Sequence, residues 1–387
     1  MITLFLRLGF TAFGGPAAHI ALMRDEVVTR RSWMTEAEFL DLLGATNLLP
    51  GPNSTQMAIH IGLRRAGLKG SIVAGACFIA PAAAIVFLCA WAYKRYGSLP
   101  QAEALFYGVK PVIIAIVVYA IRGLLGIALK NRWHAALGIA ALVAALLGAD
   151  VLLLLFASGA LAAAVDWTTT PHNKRQPVSS LFRMFAIAAA MVVLPDALTR
   201  LTRPAGNTPT PYGTLPLFSF FLKVGMTLYG GGYVLIAFLR DGLVDQWRWL
   251  TEPQLLDAIA VGQLTPGPLF TTATFIGYLV GGSAGAFIAT FAIFLPSFVL
   301  VALSGPLIPR LRRSRLAGAF LDGVNVSALA LMAAVTAALG RAALVDAYTA
   351  ALAGVSVALL FRYRMNSMWL IAAGAFCGIV IKASNLA

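Results

Sequence analysis

Two Pro-Gly-Pro motifs in this chain have the features of an anion site. Each motif interrupts a segment, and a helix that begins after such a break presents free N–H groups and a partial positive charge. Hydroxyl side chains follow each motif and could donate hydrogen bonds to an oxyanion, although N-capping is an equally natural role for them. The residues are Pro50, Gly51, Pro52, Ser54 and Thr55 in the first motif and Pro266, Gly267, Pro268, Thr271 and Thr272 in the second.

A glycine-rich break precedes each of these motifs. Gly14-Gly15-Pro16 interrupts the first apolar segment, and Gly230-Gly231-Gly232 interrupts a later one. Broken helices survive in lipid only where protein or a water-filled cavity takes up the freed backbone groups. Close helix packing by the glycines is the alternative interpretation. The backbone around Gly14, Gly15, Gly230 and Gly231 is predicted to line a substrate site.

Polar and charged side chains stand near both kinds of break. Asn47 and Gln263 come three residues before the Pro-Gly-Pro motifs and could orient a substrate through their amides. Lys110 lies in an apolar run, where a cation needs an anion, a cavity or the membrane surface, so it is a candidate charge partner for an anion. The other candidates for charge pairing or coupling are Arg24, Asp25, Arg240, Asp241, Glu36 and Glu252.

Two further carboxylates, Asp41 and Asp257, occupy matching positions in similar stretches. Solvated surface charge is the ordinary interpretation of these acidic residues, and proton coupling is the alternative. Thr35 and Glu38 fit a capping box that begins a helix. His19 and His60 lie in apolar elements without the spacing of metal ligands, so no metal site and no cofactor are predicted.

Several function classes lack sequence support. No P-loop, G-x-S-x-G or H-E-x-x-H motif is present, so neither ATP-driven transport nor hydrolysis of the soluble type is indicated, and the chain is not expected to be an enzyme. Cys77, Cys89 and Cys377 stand alone in apolar segments, which does not suggest a disulfide framework.

The composition is that of an integral membrane protein. Of 387 residues, 60% are hydrophobic and 11% are charged, whereas a soluble domain has about 25% charged residues. The mean hydropathy is +0.84. The formal net charge of +14 is spread mostly between apolar runs, which favours positive-inside topology and contact with lipid headgroups over nucleic-acid binding. A multi-pass protein of the inner (plasma) membrane is expected, and a role for the charge in attracting an anionic substrate stays open.

An internal repeat organises the chain. Shifting the sequence by 216 residues aligns the stretch from Phe5 with the stretch from Phe221, and roughly 20 of about 48 positions are identical. Glycine, proline and charged positions match, which favours a transporter built from two homologous halves. The predicted organisation is a first repeat over 1–165, a linker over 166–215 with an extra membrane segment near 181–198, and a second repeat over 216–387.

The predicted fold is all-α and polytopic, with about 12–13 membrane segments in two halves. Seven candidate segments precede the second repeat, so that repeat is inverted if every segment crosses. Segments 52–66 and 268–282 are short for a span and could be half-helices or arms of re-entrant hairpins. A cytoplasmic N-terminus places Arg64, Arg65, Arg240 and Arg248 inside, among others, while Arg30, Arg31, Lys94 and Arg95 oppose the rule.

The motifs also carry a family resemblance. The stretches "FTAFGGPAAHIALMRDEVV", "RRSWMTEAEFLDLLGATNLLPGP" and "QLTPGP", in a duplicated chain, resemble the chromate ion transporter family in its long, two-domain bacterial form. The resemblance implies chromate efflux driven by the membrane potential or a proton gradient, with inverted halves. Two departures weaken an equivalence of the halves: Asn47 stands where the family often has Gln, and Gly232 stands opposite Pro16.

The expected function is therefore export of chromate or a similar divalent tetrahedral oxyanion by a secondary transporter, with its site where the broken elements of both halves meet. The alternatives are a carrier for sulfate or another anion, an uncoupled anion channel, and a membrane-embedded enzyme or scaffold. Expected partners are the oxyanion and membrane lipids, without nucleic acid, and a homodimer is left open.

Overall fold

Helices make up all the regular secondary structure in the computed structural model, which describes residues 1–12, 15–97, 99–169, 212–229, 234–363 and 365–384. The predicted segment 181–198 lies outside the described residues. The first-half helices are α1 (Ile2–Thr11), α2 (Gly15–Arg24), α3 (Glu36–Thr46), α4 (Asn53–Tyr96), α5 (Pro100–Ala128), α6 (Arg132–Leu146) and α7 (Val151–Thr169). The second-half helices are α8 (Thr214–Thr227), α9 (Leu235–Leu239), α10 (Glu252–Leu264), α11 (Thr272–Arg313), α12 (Arg315–Ala343), α13 (Ala347–Tyr363) and α14 (Ser367–Ala383).

The two longest helices, α4 and α11, are each folded back at a glycine. Ala66 and Gly67 leave helical geometry in α4, and Gly281 and Gly282 do so in α11. A Cβ on Gly62 would meet the carbonyl of Gly70, so the arms 53–65 and 68–96 run antiparallel in close contact. The arm 53–65 spans only about 20 Å at about 1.5 Å per residue, which is less than the membrane core. Of the two interpretations for segment 52–66, the half-helix in a hairpin is the one observed.

The first apolar segment also turns back. Arg7 in α1 pairs with Glu26, just beyond α2, and Phe5 shares a core cluster with Val27. A continuous helix would separate residues 7 and 26 by about 28 Å, so α1 and α2 must be antiparallel. The predicted segment 4–23 thus contains two antiparallel helices, α1 and α2, which form a re-entrant hairpin. The segment 216–239 follows the same course, because the Phe220 ring lies 5.3 Å from that of Trp247.

A second re-entrant hairpin joins α3 to the short arm of α4. Arg64, at the end of that arm, pairs with Glu38 at the start of α3, and the Arg65 guanidinium lies 5.4 Å from the Trp33 ring. Both ends of the hairpin therefore lie on one face of the molecule, and the loop at Pro50–Pro52 is its tip. We call this face, which also carries Arg30 and Arg31, the basic face.

The second half enters from the opposite, far face. The long arm of α4 starts at the basic face and ends at Tyr96, and Tyr93 near that end donates a 2.8 Å hydrogen bond to Asp257 in the second turn of α10. The start of α10 thus lies at the far face, and the halves are inverted. This corrects the charge assignment: Arg240 and Arg248, close to the start of α10, lie opposite Arg64, whereas Arg30 and Arg31 lie with it.

Helices of one half pack on helices of the other. The long arms of α4 and α11 pack together, α5 packs against α13 and α14, and α12 packs against α6 and α7. Within the described ranges, five helices are long and apolar enough to cross a membrane, namely Asn53–Tyr96, Pro100–Gly126, Val151–Thr169, Leu269–Ser304 and Arg315–Ala343. The re-entrant hairpins of both halves pack on this framework of long helices, in which helices of one half contact helices of the other.

Candidate anion site at the junction of the halves

Two backbone hydrogen bonds cross between the halves. The amide of Gly51 donates to the carbonyl of Leu228 at 2.8 Å, and the amide of Gly267 donates to the carbonyl of Ala12 at 2.9 Å. Leu228 and Ala12 are the C-caps of α8 and α1, immediately before the glycine-rich breaks. Each Pro-Gly-Pro tip therefore contacts the broken helix of the other half, and all four elements meet at one junction.

Glycine is required in both tips. Gly51 has φ +121° and Gly267 has φ +90°, a region that L side chains rarely adopt. A Cβ on Gly51 would lie 2.8 Å from the hydroxyl of Ser297, and one on Gly267 would lie 2.6 Å from the Cβ of Ala82. Ser297 and Ala82 are themselves equivalent positions of the repeat. Each tip therefore faces the same position of a long helix, but the first tip meets a hydroxyl there and the second tip meets a methyl group.

The first-half tip offers unused polar groups. The side-chain amide of Gln56 donates to the carbonyl of Pro50 at 2.5 Å. The hydroxyls of Thr55 and Ser297 are buried without a hydrogen-bond partner among the described residues. The amides of the first turn of α4 also lack partners inside the helix. This tip therefore combines a helix N-terminus with two hydroxyl donors, a combination that suits an oxyanion.

The second-half tip is more fully occupied. The hydroxyls of Thr271 and Thr272 donate to the carbonyls of Pro268 and Leu269, each at 2.8 Å. Their hydrogens are thus engaged by carbonyls three residues earlier in the chain, whereas an N-cap oxygen would accept from a backbone amide. Gln263, in the last turn of α10, has a buried amide nitrogen without a partner in the described part of the chain.

The remaining amide and hydroxyl candidates of the first half differ in exposure. Asn47 is exposed and accepts a hydrogen bond of 2.8 Å from Asn53 across the base of the first tip. Ser54 is buried in the first turn of α4. Gly15 opens α2. Gly14, Gly230 and Gly231 lie outside the residues that the structure describes.

His19 is part of the junction although the second repeat has no counterpart for it. Its Nε2 lies 3.0 Å from the carbonyl of Ala12, the same oxygen that accepts from Gly267. Because a carbonyl only accepts, Nε2 must carry the hydrogen, which leaves Nδ1 as an acceptor in the neutral ring. Phe78 packs edge-on against this ring at 5.7 Å. His19 thus fixes the end of α1 where the two halves meet.

Lys110 finds its anion within the protein. Its Nζ lies 3.0 Å from Asp257 Oδ1, and both side chains are largely buried. Tyr93 hydrogen-bonds the other carboxylate oxygen. Asp257 lies seven residues, or about 10 Å, before the end of α10 at Leu264, so Lys110 contacts the flank of the second hairpin rather than its tip. This network joins two residues of the first half to one of the second.

The charged candidates at the hairpin bases form local pairs. Arg24 pairs with Glu36 at 2.7 Å, and the equivalent Arg240 pairs with Glu252 at 2.5 Å. These matched bridges tie the end of one re-entrant hairpin to the start of the next in each half. Asp25 pairs with Arg30 at 2.7 Å.

Asp241, the counterpart of Asp25, accepts a hydrogen bond of 2.7 Å from Gln246. Burial raises the pKa of its carboxyl to about 6. It is therefore a carboxylate whose charge changes near physiological pH. Asp241 lies at the base of a hairpin near the far face, away from the tips.

An apolar cavity of about 970 Å³ lies between the long arms of α4 and α11. Its lining includes Ile79, Phe87, Phe291 and Phe298. The polar side chains of its lining are Thr274 and Thr290, whose hydroxyls lie 2.7 Å apart and bond each other. An oxyanion entering this space would lose its hydration for very few polar partners, so the space does not fit an oxyanion path.

Sequence reasoning missed several residues of these networks. No sequence pattern singles out Gln56 or Ser297. The ordinary interpretation of Asp257 from the sequence is a solvated charge on the protein surface, whereas the structure buries it. A lysine in an apolar run needs an anion, and the aspartate repeated at positions 41 and 257 offers one. These two observations together could have predicted the pairing of Lys110 with Asp257. Ser297 carried only a weak signal, a hydroxyl after a proline in an apolar run.

Two inverted repeats whose re-entrant hairpins meet inside the molecule define a multi-pass membrane transporter of the inverted-repeat class. The chain belongs to the chromate transporter family, whose model matches residues 1–165 and 215–379. The match covers both halves and agrees with the internal repeat.

Three relatives of this chain are similar to it along most of their length. A chromate transport protein of Cupriavidus metallidurans is 32% identical over 378 residues, covering 97% of this chain and 90% of that protein. A chromate transport protein of Pseudomonas aeruginosa is 29% identical over 384 residues, covering 97% and 91%. A probable chromate transport protein of Synechococcus elongatus is 31% identical over 344 residues, covering 88% and 84%. No solved structure matches this chain.

Proposed function

We propose that this protein is a secondary active transporter that exports chromate, or a similar divalent tetrahedral oxyanion, across the cytoplasmic membrane. The family and the names of the relatives support chromate as the substrate. The observation that carries the assignment of a site is the pair of crossed hydrogen bonds from Gly51 and Gly267. They hold both helix N-termini at one junction between the halves, where an anion would meet partial positive charge from each.

The first-half tip is the proposed centre of the binding site. Thr55 and Ser297 supply hydroxyl donors there, and the amides of the first turn of α4 point toward the break. The second-half tip, with Thr271 and Thr272 already engaged, contributes mainly its backbone and the amide of Gln263. Tetrahedral oxyanions have several acceptor oxygens, so a site made of converging donors suits them.

Transport in everted membrane vesicles tests the proposal. A coupled exporter should take up labelled chromate saturably, and an uncoupler should abolish that uptake. A channel would instead give uptake linear in concentration and independent of the gradient once the membrane potential is controlled. The control is the same vesicle preparation carrying Gly51→Leu, which should insert into the membrane without transporting.

A sulfate carrier of the same architecture is the second candidate. Sulfate shares the tetrahedral shape and double charge of chromate, and a site of amides and hydroxyls separates the two weakly. Competition of unlabelled sulfate against labelled chromate measures the preference. If an equal concentration of sulfate halves the uptake of labelled chromate, chromate is not the preferred substrate.

A further inference from the structure

The two halves do not pack alike around their second hairpins. Helices α3 and α10 are equivalent, and one face of each is buried, with Phe39 1% and Leu255 0% exposed. The adjacent face differs: Leu40 is 53% exposed, whereas its counterpart Leu256 is 1% exposed. Asp41 is exposed on this face of α3, whereas Asp257 on α10 is buried. An inverted repeat with equal halves would give both faces the same surroundings.

The difference comes from the neighbours of each helix. α10 packs against α5, α12 and α14, and its side chains belong to the main core. In the described part of the chain, α3 packs extensively against α4 alone, and the first-half hairpins form a separate small core. Among the described residues, no helix packs extensively on the face of α3 that would correspond to the contact of α10 with α5.

The repeat identifies what should cover it. α5 corresponds to α12, and Lys110 corresponds to Asn325 in the register of the long helices. At the far face, Asp257 contacts Lys110. The equivalent positions at the basic face are Asp41 and Asn325. Asn325 is half-buried on α12.

We propose that Asp257 with Lys110 and Tyr93 forms a closed gate at the far face, and that Asp41 and Asn325 form the equivalent gate at the basic face, here open. In the alternate conformation, α3 closes on α12 while α10 separates from α5. The two gates exchange, so the junction at the Pro-Gly-Pro tips is reached from one face at a time. This inference rests on the proposed transport function, because only a transporter needs both conformations.

The gates differ in chemistry. The far-face gate is an ion pair with a tyrosine hydrogen bond, whereas the basic-face gate joins a carboxylate to an amide. The far-face gate contains two largely buried charges of opposite sign, whereas the basic-face gate contains one charged side chain and one neutral side chain. The far-closed conformation is therefore the favoured resting state, and a lysine at position 325 should favour the other.

Single cysteines at equivalent positions report the two gates. In a background with Cys77, Cys89 and Cys377 replaced by alanine, Leu40→Cys should react with a maleimide and Leu256→Cys should be protected. Adding Asn325→Lys should slow labelling at position 40 and speed it at position 256, changing the ratio of the two rates by about tenfold. Ser283→Cys, exposed at the turn of α11, is the control whose rate should stay constant.

Lys110→Asn provides an independent test, since it makes both gates carboxylate–amide pairs. It should raise labelling at position 256 without adding a charge. Opposite changes at positions 40 and 256 in both variants support the exchange of gates, and unchanged or parallel changes in both variants would overturn it. If vesicles transport chromate but the labelling rates at positions 40 and 256 do not change, the gates are refuted and the proposed function stands. If the labelling rates change in opposite directions but no chromate is transported, the proposed substrate is refuted and the gates stand.

Discussion

Gly51 and Gly267 combine a strained backbone conformation with a lack of space. Replacing either with alanine places a Cβ against Ser297 or Ala82 in a φ region that alanine rarely adopts. We expect Gly51→Ala and Gly267→Ala each to reduce the initial rate of chromate uptake by at least about tenfold, because the crossed hydrogen bonds would be displaced. Uptake into everted vesicles, normalised to the amount of inserted protein, measures the effect.

Gly67 supplies the matched control for this test. It also has a positive φ, +61°, but a Cβ there would meet nothing within 4 Å. Gly67→Ala should therefore retain most of the uptake. Equal losses in Gly51→Ala and Gly67→Ala would show that backbone strain anywhere in α4 suffices, and the tip would lose its special role.

Asp241 gives a pH prediction at a single residue. Burial raises its pKa from 3.8 to about 6, so between these values the folded protein binds more protons than the unfolded protein. Its contribution to stability therefore falls as the pH rises and reaches a constant low level above about pH 6. Asp241→Asn should stabilise the protein by about 1–3 kcal/mol at about pH 7.5 and have little effect below about pH 4.

Apparent melting temperatures across this pH range, measured in detergent, check the prediction. Asp25→Asn is the matched control, since the side chain of the equivalent Asp25 is 44% exposed and paired with Arg30. A stabilisation by Asp241→Asn that is the same at every pH would mean that the ionisation of Asp241 is not its source.

At the scale of the elements, the folded-back long helices depend on glycine contacts. Gly62 lies against Gly70, and Gly277 lies against Gly285, so a side chain at these positions meets backbone of the antiparallel arm. Gly62→Val should destabilise the protein by about 1–3 kcal/mol or more, because neither backbone can withdraw. The measurement is the apparent melting temperature, with Gly123→Val as the control in α5, where nothing lies within 4 Å. Equal melting temperatures for the two variants would contradict the tight hairpin.

Local signals predicted some elements well. The capping box at Thr35 and Glu38 is confirmed at the start of α3, where each side chain bonds the backbone of the other residue. This motif is local, so its physics is complete within four residues. The sequence predicts a break in segment 4–23 but not the angle between α1 and α2, because a glycine-rich break permits many angles and the angle is selected by distant packing, such as Phe5 against Val27.

The site was predictable in part for the same reason. The repeated Pro-Gly-Pro motifs mark the tips in the sequence itself. Ser297 reaches the first tip only because the long arm of α11 crosses α4 at that level. Which residue of a long apolar helix faces a loop of the other half depends on the crossing, and no local pattern contains that information.

For the whole molecule, the inverted arrangement predicts labelling from opposite sides. Leu68 and Ser283 follow the equivalent glycines Gly67 and Gly282, and both are exposed. The basic face should be cytoplasmic by the positive-inside rule. In a background without Cys77, Cys89 and Cys377, a membrane-impermeant maleimide should label Ser283→Cys from the outside of intact cells and Leu68→Cys only in everted vesicles. Labelling of both positions from one side would disprove the inversion.

Parity explains why the inversion was predictable although some of the candidate segments do not cross the membrane. Re-entrant segments do not cross, and removing both 4–23 and 52–66 from the seven candidates leaves five, which is still odd. The predicted side of Arg240 and Arg248 was wrong, because it depends on whether the segment just before them crosses the membrane.

The crossed hydrogen bonds also impose an order on biosynthesis. The amide of Gly51 and the carbonyl of Ala12 belong to the part of the chain that leaves the ribosome first, yet their partners, Leu228 and Gly267, are made more than 170 residues later. Until then, the nascent first half holds unpaired backbone groups at membrane depth, where they are costly. The insertion machinery, or water retained around the nascent hairpins, must shelter these groups. A ribosome that stalls between the two repeats would leave a fragment marked for degradation by its own unfinished junction.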